Sequence, residues 1–234
     1  MIVKAIKTKV FSEGDDLFNF VTQNIKHVPE KSVIVVTSKI VALAERRTTT
    51  LKNSTAKEKL IRSESSIAVK TKHVWLTLKD GILMANAGID ESNARGKLIL
   101  LPKNSFKSAD ALRLKLRKQY KVKNLGVLIT DSHTQPLRAG VVGIALGYAG
   151  FHGTKDYRGK SDIFGRKFIF SQTNVADSLA TAAVFLMGEG AEQQPLAVIT
   201  GASIDFCEKV NPKELQIPPK DDMYGPLFKN FQNS

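Results

Sequence analysis

The chain has 234 residues, 42% hydrophobic and 24% charged, which is enough for one large or two small soluble domains and includes no apolar run of membrane-spanning length. Its one cysteine, Cys207, excludes an intramolecular disulfide and a thiolate metal site. The net charge of +13 would suit nucleic acid or an anionic small substrate, but the lysines are scattered and the aromatic–basic interleaving of a single-strand binder is missing, which disfavours nucleic acid. The N-terminal run Met1-Ile-Val-Lys-Ala-Ile-Lys7 has no signal-peptide pattern, so a cytoplasmic protein is the simplest expectation.

In chain order, Gly14-Asp-Asp16 precedes a helix with Leu17, Phe20, Val21 and Ile25 on its apolar face. Val33-Ile-Val-Val36 predicts a strand, Ser38-Lys39 follows it, and Ile40 to Glu45 reads as helical. Arg47 to Lys72 is polar and weakly patterned, and reads as surface helix and loop. Val74 to Leu78 and Ile82 to Ala85 flank an Asp80-Gly81 step, a strong hairpin signal. Ile99-Leu-Leu101 leads to Pro102 and a basic helix. Ala109, Leu112, Leu116 and Tyr120 form the apolar face of a helix, and Arg113-Leu-Lys-Leu-Arg-Lys118 reads as its solvated basic face. Leu125 to Thr130 predicts an interior strand, and a glycine-rich region runs from Gly140 to Gly159. Lys167-Phe-Ile-Phe170 reads as a strand, Asn174 starts a helix over Val175 to Met187 that Gly188-Glu-Gly190 ends, and Leu196 to Ile199 is the last strand. The irregular order of helices, strands and a hairpin predicts an α+β fold of mixed sheets, one catalytic domain over residues 1–211 with a polar surface tail over 212–234.

The chemistry gathers at a few places. Asp90, in Asn86-Ala-Gly-Ile-Asp-Glu-Ser-Asn93, and Asp131, in Ile129-Thr-Asp-Ser132, each follow an apolar stretch. Carboxylates at strand ends suit a hard cation, although turn aspartates have the same look. Glu189 sits between two glycines at a helix C-terminus, where the dipole disfavours negative charge and a cation would offset it. Arg138, Arg158 and Arg166 alternate with glycines and can grip phosphate or carboxylate, though such loops also form internal Asp–Arg pairs. His133, beside the Thr130-Asp-Ser132 corner, is a lone loop histidine with no partner in sequence. No P-loop and no dinucleotide fingerprint is present, so a bound nucleotide would be held by metals and scattered amides.

Asn86 to Asn93, the Ile129 to Ser132 corner, Val141-Val-Gly-Ile-Ala-Leu-Gly147, Lys155-Asp-Tyr-Arg-Gly159, Asp162-Ile-Phe-Gly-Arg166 and Met187-Gly-Glu-Gly190 occur in one order. Together, from about Glu13 to Gly201, they strongly resemble the γ-glutamyl ligases that add glutamate to the deazaflavin coenzyme F420. The resemblance implies a γ-glutamyl-ligase-like α+β homodimer that uses GTP and two divalent cations, Mn2+ or Mg2+, with K+ helpful. It implies Asp90 and Asp131 as ligands of one metal and Ser132 and Glu189 of the second. It further implies nucleotide contacts at Ser38, Lys39, Asn93 and the segment Met187, Gly188, Glu189, Gly190, Ala191, Glu192, Gln193 and Gln194. The family's N-terminal nucleotide segment falls on Thr8, Lys9, Val10 and Phe11. Here the usual Gly-Leu-Pro is Lys7-Thr-Lys9, an expected lysine is Leu43, and an expected glycine is Arg46, so the chain reads as a divergent member.

The implied reaction passes the γ-phosphoryl group of GTP to an acceptor carboxylate, and the α-amine of L-glutamate then forms the amide, with Asp131, Arg138, Arg158 and Arg166 as the candidate catalytic set. The acceptor is the deazaflavin precursor F420-0; the alternatives are a folate or another glutamyl-tailed acceptor. A basic, non-enzymatic RNA- or polyanion-binding protein is the remaining reading, and three carboxylates in one groove argue against it.

Overall fold

Ser32–Thr37 reads SVIVVT, and Val33 to Val36 are all fully buried. A strand apolar on both faces must be covered on both, which puts it inside a sheet with helices on either side. A computed structural model, describing residues 1–51 and 53–227, is built around that strand. In chain order the elements begin β1 (Ile2–Ile6), α1 (Leu17–Asn24), β2 (Ser32–Thr37), α2 (Ser38–Ala44), β3 (Thr48–Thr49) and α3 (Ser54–Ser63). They continue β4 (Ile67–Lys70), β5 (Trp75–Lys79), β6 (Ile82–Ala85), β7 (Leu98–Ile99), α4 (Ser105–Tyr120) and β8 (Leu125–Thr134). Last come β9 (Val141–Ala149), β10 (Thr154–Asp156), β11 (Gln172–Asn174), α5 (Val175–Met187) and β12 (Leu196–Thr200).

The main sheet has five strands in the order β1-β12-β2-β8-β9. The pair β2–β8 is parallel and the other three pairs are antiparallel. Ile34, Val36, Val127 and Ile129 face α1, α2 and α4, meeting Val21, Val41, Leu112 and Leu116. Val33, Val35, Leu128 and Ile199 face the other way, onto Ala176, Leu179, Ala180 and Ala183 of α5. The period-two alternation of strand side chains thus divides one apolar run between two cores. A three-stranded sheet, β4-β5-β6, and the pairs β3–β7 and β10–β11 complete a mixed α+β architecture with several sheets. No helix among the described residues is long and apolar enough to cross a membrane.

The glycine-rich region is a strand where it begins. β9 runs through it, and its glycines mark where helices press on the sheet. A Cβ on Gly143 would lie 2.4 Å from the Ala180 carbonyl of α5, and one on Gly147 would lie 2.5 Å from the backbone of Ser105 in α4. Between Ile129↔Gly147 and Thr130↔Ala145 the ladder slips by a bulge on β9. Such bulges redirect the chain next to functional sites, and this one falls just before Asp131.

Several expectations are corrected. Lys167 to Phe170 is not a strand: Ile169 and Phe170 are exposed, and the pairing partner of β10 is Gln172–Asn174 instead. The stretch from Arg47 to Lys72 contains β3, α3 and β4, with Lys52 outside the described residues. Arg113 is not on a solvated face but buried, donating Nε to the Leu125 carbonyl at 2.8 Å and Nη2 to Glu208 at 3.2 Å. The surface-tail expectation over 212–234 is not among these: within it Glu214 accepts from Tyr148 Oη at 2.5 Å and from the Gly153 amide at 2.7 Å, and residues 228–234 lie outside the described residues. The basic helix otherwise buries Ala109, Leu112 and Leu116 as its spacing predicts, and Asn174 caps α5 by accepting from the Asp177 amide.

α2 ends in a Schellman motif: the Arg47 amide donates to the Ala42 carbonyl at 2.9 Å and the Arg46 amide to that of Leu43 at 3.1 Å. The motif needs a left-handed residue, and Arg46 takes that role with φ of 56°. A side chain there costs about 1 kcal/mol, so Arg46→Gly is expected to raise the melting temperature by ~2–4 °C. An unchanged or lower value would mean that the Arg46 side chain, packed over Gly14, returns more than the backbone loses.

Candidate functional site

β2 and β8 run parallel, with Thr37 opposite Thr130; β2 ends there and passes into α2, whereas β8 continues to Thr134. β8 pairs Asp131 with Ile144 and Ser132 with Gly143 of β9, so Asp131 and Ser132 lie within a strand and not at its end, and His133 is not in a loop. Where β2 stops, its side of β8 is left without a strand partner beside Asp131 and Ser132 among the described residues. Ser38 and Lys39, at the start of α2, stand next to Asp131 and Ser132 of β8. Ser38 Oγ donates to Asp131 Oδ1 at 3.3 Å.

Asp90 arrives from the hairpin. The Asp80-Gly81 step turns β5 into β6, and Asn86 and Ala87 then take left-handed backbone angles with φ of 52° and 54°. Thr77 holds that turn from within, its Oγ1 donating to the Met84 carbonyl at 2.7 Å and accepting from the Ala87 amide at 2.8 Å. Asp90 is next fixed by its backbone, exchanging hydrogen bonds with Ile99 at 2.9 and 2.8 Å. Its carboxylate accepts from Lys39 Nζ at 2.7 Å, the Ser92 amide at 2.7 Å and Ser92 Oγ at 3.0 Å.

The third wall is the chain leaving α5. Gly188, with φ of 82°, ends the helix and turns Glu189 towards β8, where Ser132 Oγ lies 2.7 and 2.8 Å from its two carboxylate oxygens. Asn93 Nδ2 donates to the Gly190 carbonyl at 3.3 Å, joining the Asp90 loop to this segment. The Thr8 amide donates to the Gln193 carbonyl at 2.9 Å, bringing in the N-terminal segment.

These walls enclose a cavity of about 710 Å³. Thr8, Lys9, Val10, Phe11, Lys39, Asp90, Asn93, Asp131 and Ser132 line it, as does every residue from Met187 to Gln194. Residues far apart in the chain thus meet in one place. Ser38 stands behind the lining, buried, acting through Asp131. Arg138, Arg158 and Arg166 do not line the cavity, nor does His133. Arg158 is forked onto Asp156 of its own loop, with Nη2–Oδ2 at 2.6 Å, which is the internal pairing open to such a loop. Sequence reasoning did not single out Arg95, Thr130 or Ser92, which also line the cavity. Ser92 and Arg95 flank Asn93, and the Arg95-Gly96 step was their available signal; nothing in the sequence distinguished Thr130.

The electrostatics set the two aspartates apart. Burial pushes the Asp131 carboxyl up to about 7, against hydrogen bonds from Ser132 and Ser38, and the neighbouring Asp90 charge raises it further. Burial also raises Asp90, but the hydrogen bonds and charge of Lys39 and the bonds from Ser92 outweigh it and hold that carboxyl below its usual range. Among the described residues no three His, Cys, Asp or Glu side chains converge at one point. The oxygen donors are instead the Asp131 carboxylate, near enough to Asp90 to feel its charge, and the hydrogen-bonded pair Ser132 and Glu189. All are hard ligands, and Thr130 Oγ1 beside them is buried with no hydrogen-bond partner among the described residues. This donor set fits a small divalent cation such as Mg2+ or Mn2+.

Residues 5–201 match the family profile described as F420-0:Gamma-glutamyl ligase. A coenzyme F420:L-glutamate ligase of Methanocaldococcus jannaschii is 36% identical over 72% of this chain and 64% of its own length. Proteins of the same description from Archaeoglobus fulgidus and Methanosarcina acetivorans are 31% and 33% identical, over 83% and 87% of this chain and 85% and 86% of their own lengths. The match therefore spans less than two thirds of the M. jannaschii protein and most of the other two. With the profile covering most of the chain, the protein belongs to the F420-0:gamma-glutamyl ligase family.

Proposed function

We propose that this chain joins L-glutamate to a terminal carboxylate of the deazaflavin precursor F420-0, with GTP as phosphoryl donor. The observation that carries the reading is the meeting of Asp90, Asp131, Ser132 and Glu189 at the mouth of a cavity large enough for a nucleotide. An acceptor carboxylate oxygen attacks the γ-phosphorus, and the bond to the β-phosphate oxygen breaks, giving an acyl phosphate and GDP. The glutamate amine then attacks the acyl carbon, phosphate leaves with its electron pair, and the amine gives up a proton as the amide forms.

Within that sequence the chain's own residues bind and orient. Lys39 supplies positive charge at the floor, and Asn93 and the Gly188–Gln194 segment offer backbone and amide groups to the nucleotide. Asp90, Asp131, Ser132 and Glu189 would hold Mn2+ or Mg2+, which when bound neutralises charge on the transferring phosphoryl group. K+ belongs to the same proposal as a charge partner of the phosphates. A homodimer accounts for the apolar side chains that stand in solvent in the monomer, Ile163, Phe164, Phe170 and Phe185, each more than four-fifths exposed. Light scattering at micromolar concentration is expected to give twice the monomer mass, and a monomer mass would leave that face unexplained.

The direct test of the reaction is mass spectrometry. With GTP, Mn2+ and glutamate, a deazaflavin precursor is expected to gain one or more glutamyl residues while tetrahydrofolate is unchanged; gain on folate alone would replace the acceptor, and gain on neither would reject the reading.

The Asp131 carboxyl makes stability depend on pH. A carboxyl raised from 3.8 to about 7 in the folded chain holds its proton longer there than in the unfolded one. Its contribution is therefore most favourable below pH ~4, is lost as pH rises towards ~7, and stays lost above. Asp131→Asn removes that charge, so the metal-free variant is expected to melt higher than the parent at pH 8, by at least the ~2–4 °C that 1 kcal/mol gives a chain of this size. The difference should vanish near pH 4, and Mn2+ should stabilise the parent but not the variant. Equal melting at pH 8, or equal stabilisation by Mn2+, would contradict the assignment.

A further inference from the structure

The ammonium of Lys39 is saturated where it sits. It meets Asp90 Oδ2 at 2.7 Å, the Ser92 carbonyl at 3.0 Å and Ser92 Oγ at 2.9 Å, three acceptors for three protons. Asp90 is nearly saturated in turn. Oδ2 also accepts from Ser92 Oγ at 3.0 Å, and Oδ1 accepts from the Ser92 amide at 2.7 Å. A carboxylate offers about four lone-pair sites, so a cation approaching Asp90 finds Oδ2 already taken by Lys39. The two cannot share it without placing like charges side by side.

The pair is nonetheless easy to separate. The side chains of Lys39 and Asp90 are 26% and 41% exposed, in the range where an ion pair contributes no more than about 1 kcal/mol. Lys39 also lines the cavity, so its flexible stem can turn the ammonium to an incoming phosphate. A phosphate oxygen carries more charge than one carboxylate oxygen and gives a strong charge-assisted hydrogen bond.

We propose that Lys39 is a movable counter-ion, held on Asp90 until a nucleotide phosphate takes its ammonium, so that nucleotide and divalent cation bind this site cooperatively. This rests on reading the cavity as a nucleotide and cation site. Lys39 is a positioning residue in this account, acting on the cation through Asp90. Without nucleotide the ammonium competes for Oδ2 and keeps the cation weakly bound. With nucleotide the competitor becomes a ligand of the phosphate, and Oδ2 is released. By linkage, a cation on Asp90 raises nucleotide affinity by the same factor, typically about 5- to 150-fold for coupled sites.

The test is titration of the intact protein with Mn2+ alone, reading free Mn2+ by electron paramagnetic resonance, for the parent, Lys39→Met and Lys39→Gln. Thermal melting confirms that each variant is folded. The expected result is tighter Mn2+ binding by both variants in the absence of nucleotide, by about five-fold, the factor that a pair of about 1 kcal/mol allows. Fluorescent GTP-analogue binding in the presence of a chelator is expected to weaken in the same variants, and Lys39→Arg should restore it. If folded variants bind Mn2+ no more tightly than the parent, the counter-ion exchange is wrong and Lys39 only props the Asp90 loop. If the parent binds no Mn2+ even with GTP, the cation site of the proposed function fails as well, which separates the two failures.

Discussion

The parallel pairing of β2 with β8 is the constraint on which the rest of the site depends. It brings Thr37 level with Thr130, so that Ser38 and Lys39, just past the end of β2, stand beside Asp131 and Ser132, which continue in β8. The pairing holds because Val33 to Val36 and Val127 to Ile129 are buried on both faces, and a slip of one residue would exchange the two cores. Each remaining wall is then brought to this point by its own local device. Thr77 fixes the turn before Asp90, Gly188 ends α5 before Glu189, and the Gln193 carbonyl anchors Thr8.

Charge is what that geometry concentrates. A chain of net charge +13 places carboxylates from three separate segments at one cavity and gives the buried one, Asp131, only hydroxyl and amide partners. Lys39 compensates Asp90, and Ser132 bonds Glu189, while among the described residues no cation forms an ion pair with Asp131. A site that keeps a carboxylate in that condition loses stability near neutral pH and gains it back when a cation binds. The raised Asp131 and the saturated Asp90 are two sides of one arrangement: one carboxylate awaits a charge partner, and the other already has one that can leave.

Much of this was legible in the sequence because it depended on short-range signals. The Asp80-Gly81 turn, the Asn174 cap, the doubly buried β2 run and the motif order all involve neighbours in the chain, and each appears in the structure. β9 was hidden because Gly143 and Gly147 look like loop residues until one knows that α5 and α4 press against them. Lys167 to Phe170 misled for the opposite reason: it is apolar enough for a strand, yet it makes only an isolated bridge and turn hydrogen bonds to residues 159–161, and Ile169 and Phe170 face solvent. The site showed the same division. Asp90, Asp131, Ser132 and Glu189 line one cavity, although Asp131 and Ser132 lie inside β8 and not at its end as the sequence suggested. Arg138, Arg158 and Arg166 do not line it, because composition shows that a loop is rich in arginine but not which carboxylate each arginine will find. Arg158 found Asp156.

The central claim is that Asp90 with Asp131, and Ser132 with Glu189, form two adjacent cation sites in one nucleotide cavity. Anomalous scattering from crystals grown with Mn2+ and a non-hydrolysable GTP analogue tests it most directly. The account predicts two manganese peaks about 3.5–4 Å apart, one against Asp90 and Asp131 and one against Ser132 and Glu189, with the analogue's phosphates beside them. Manganese elsewhere, or an analogue bound outside this cavity, would contradict it.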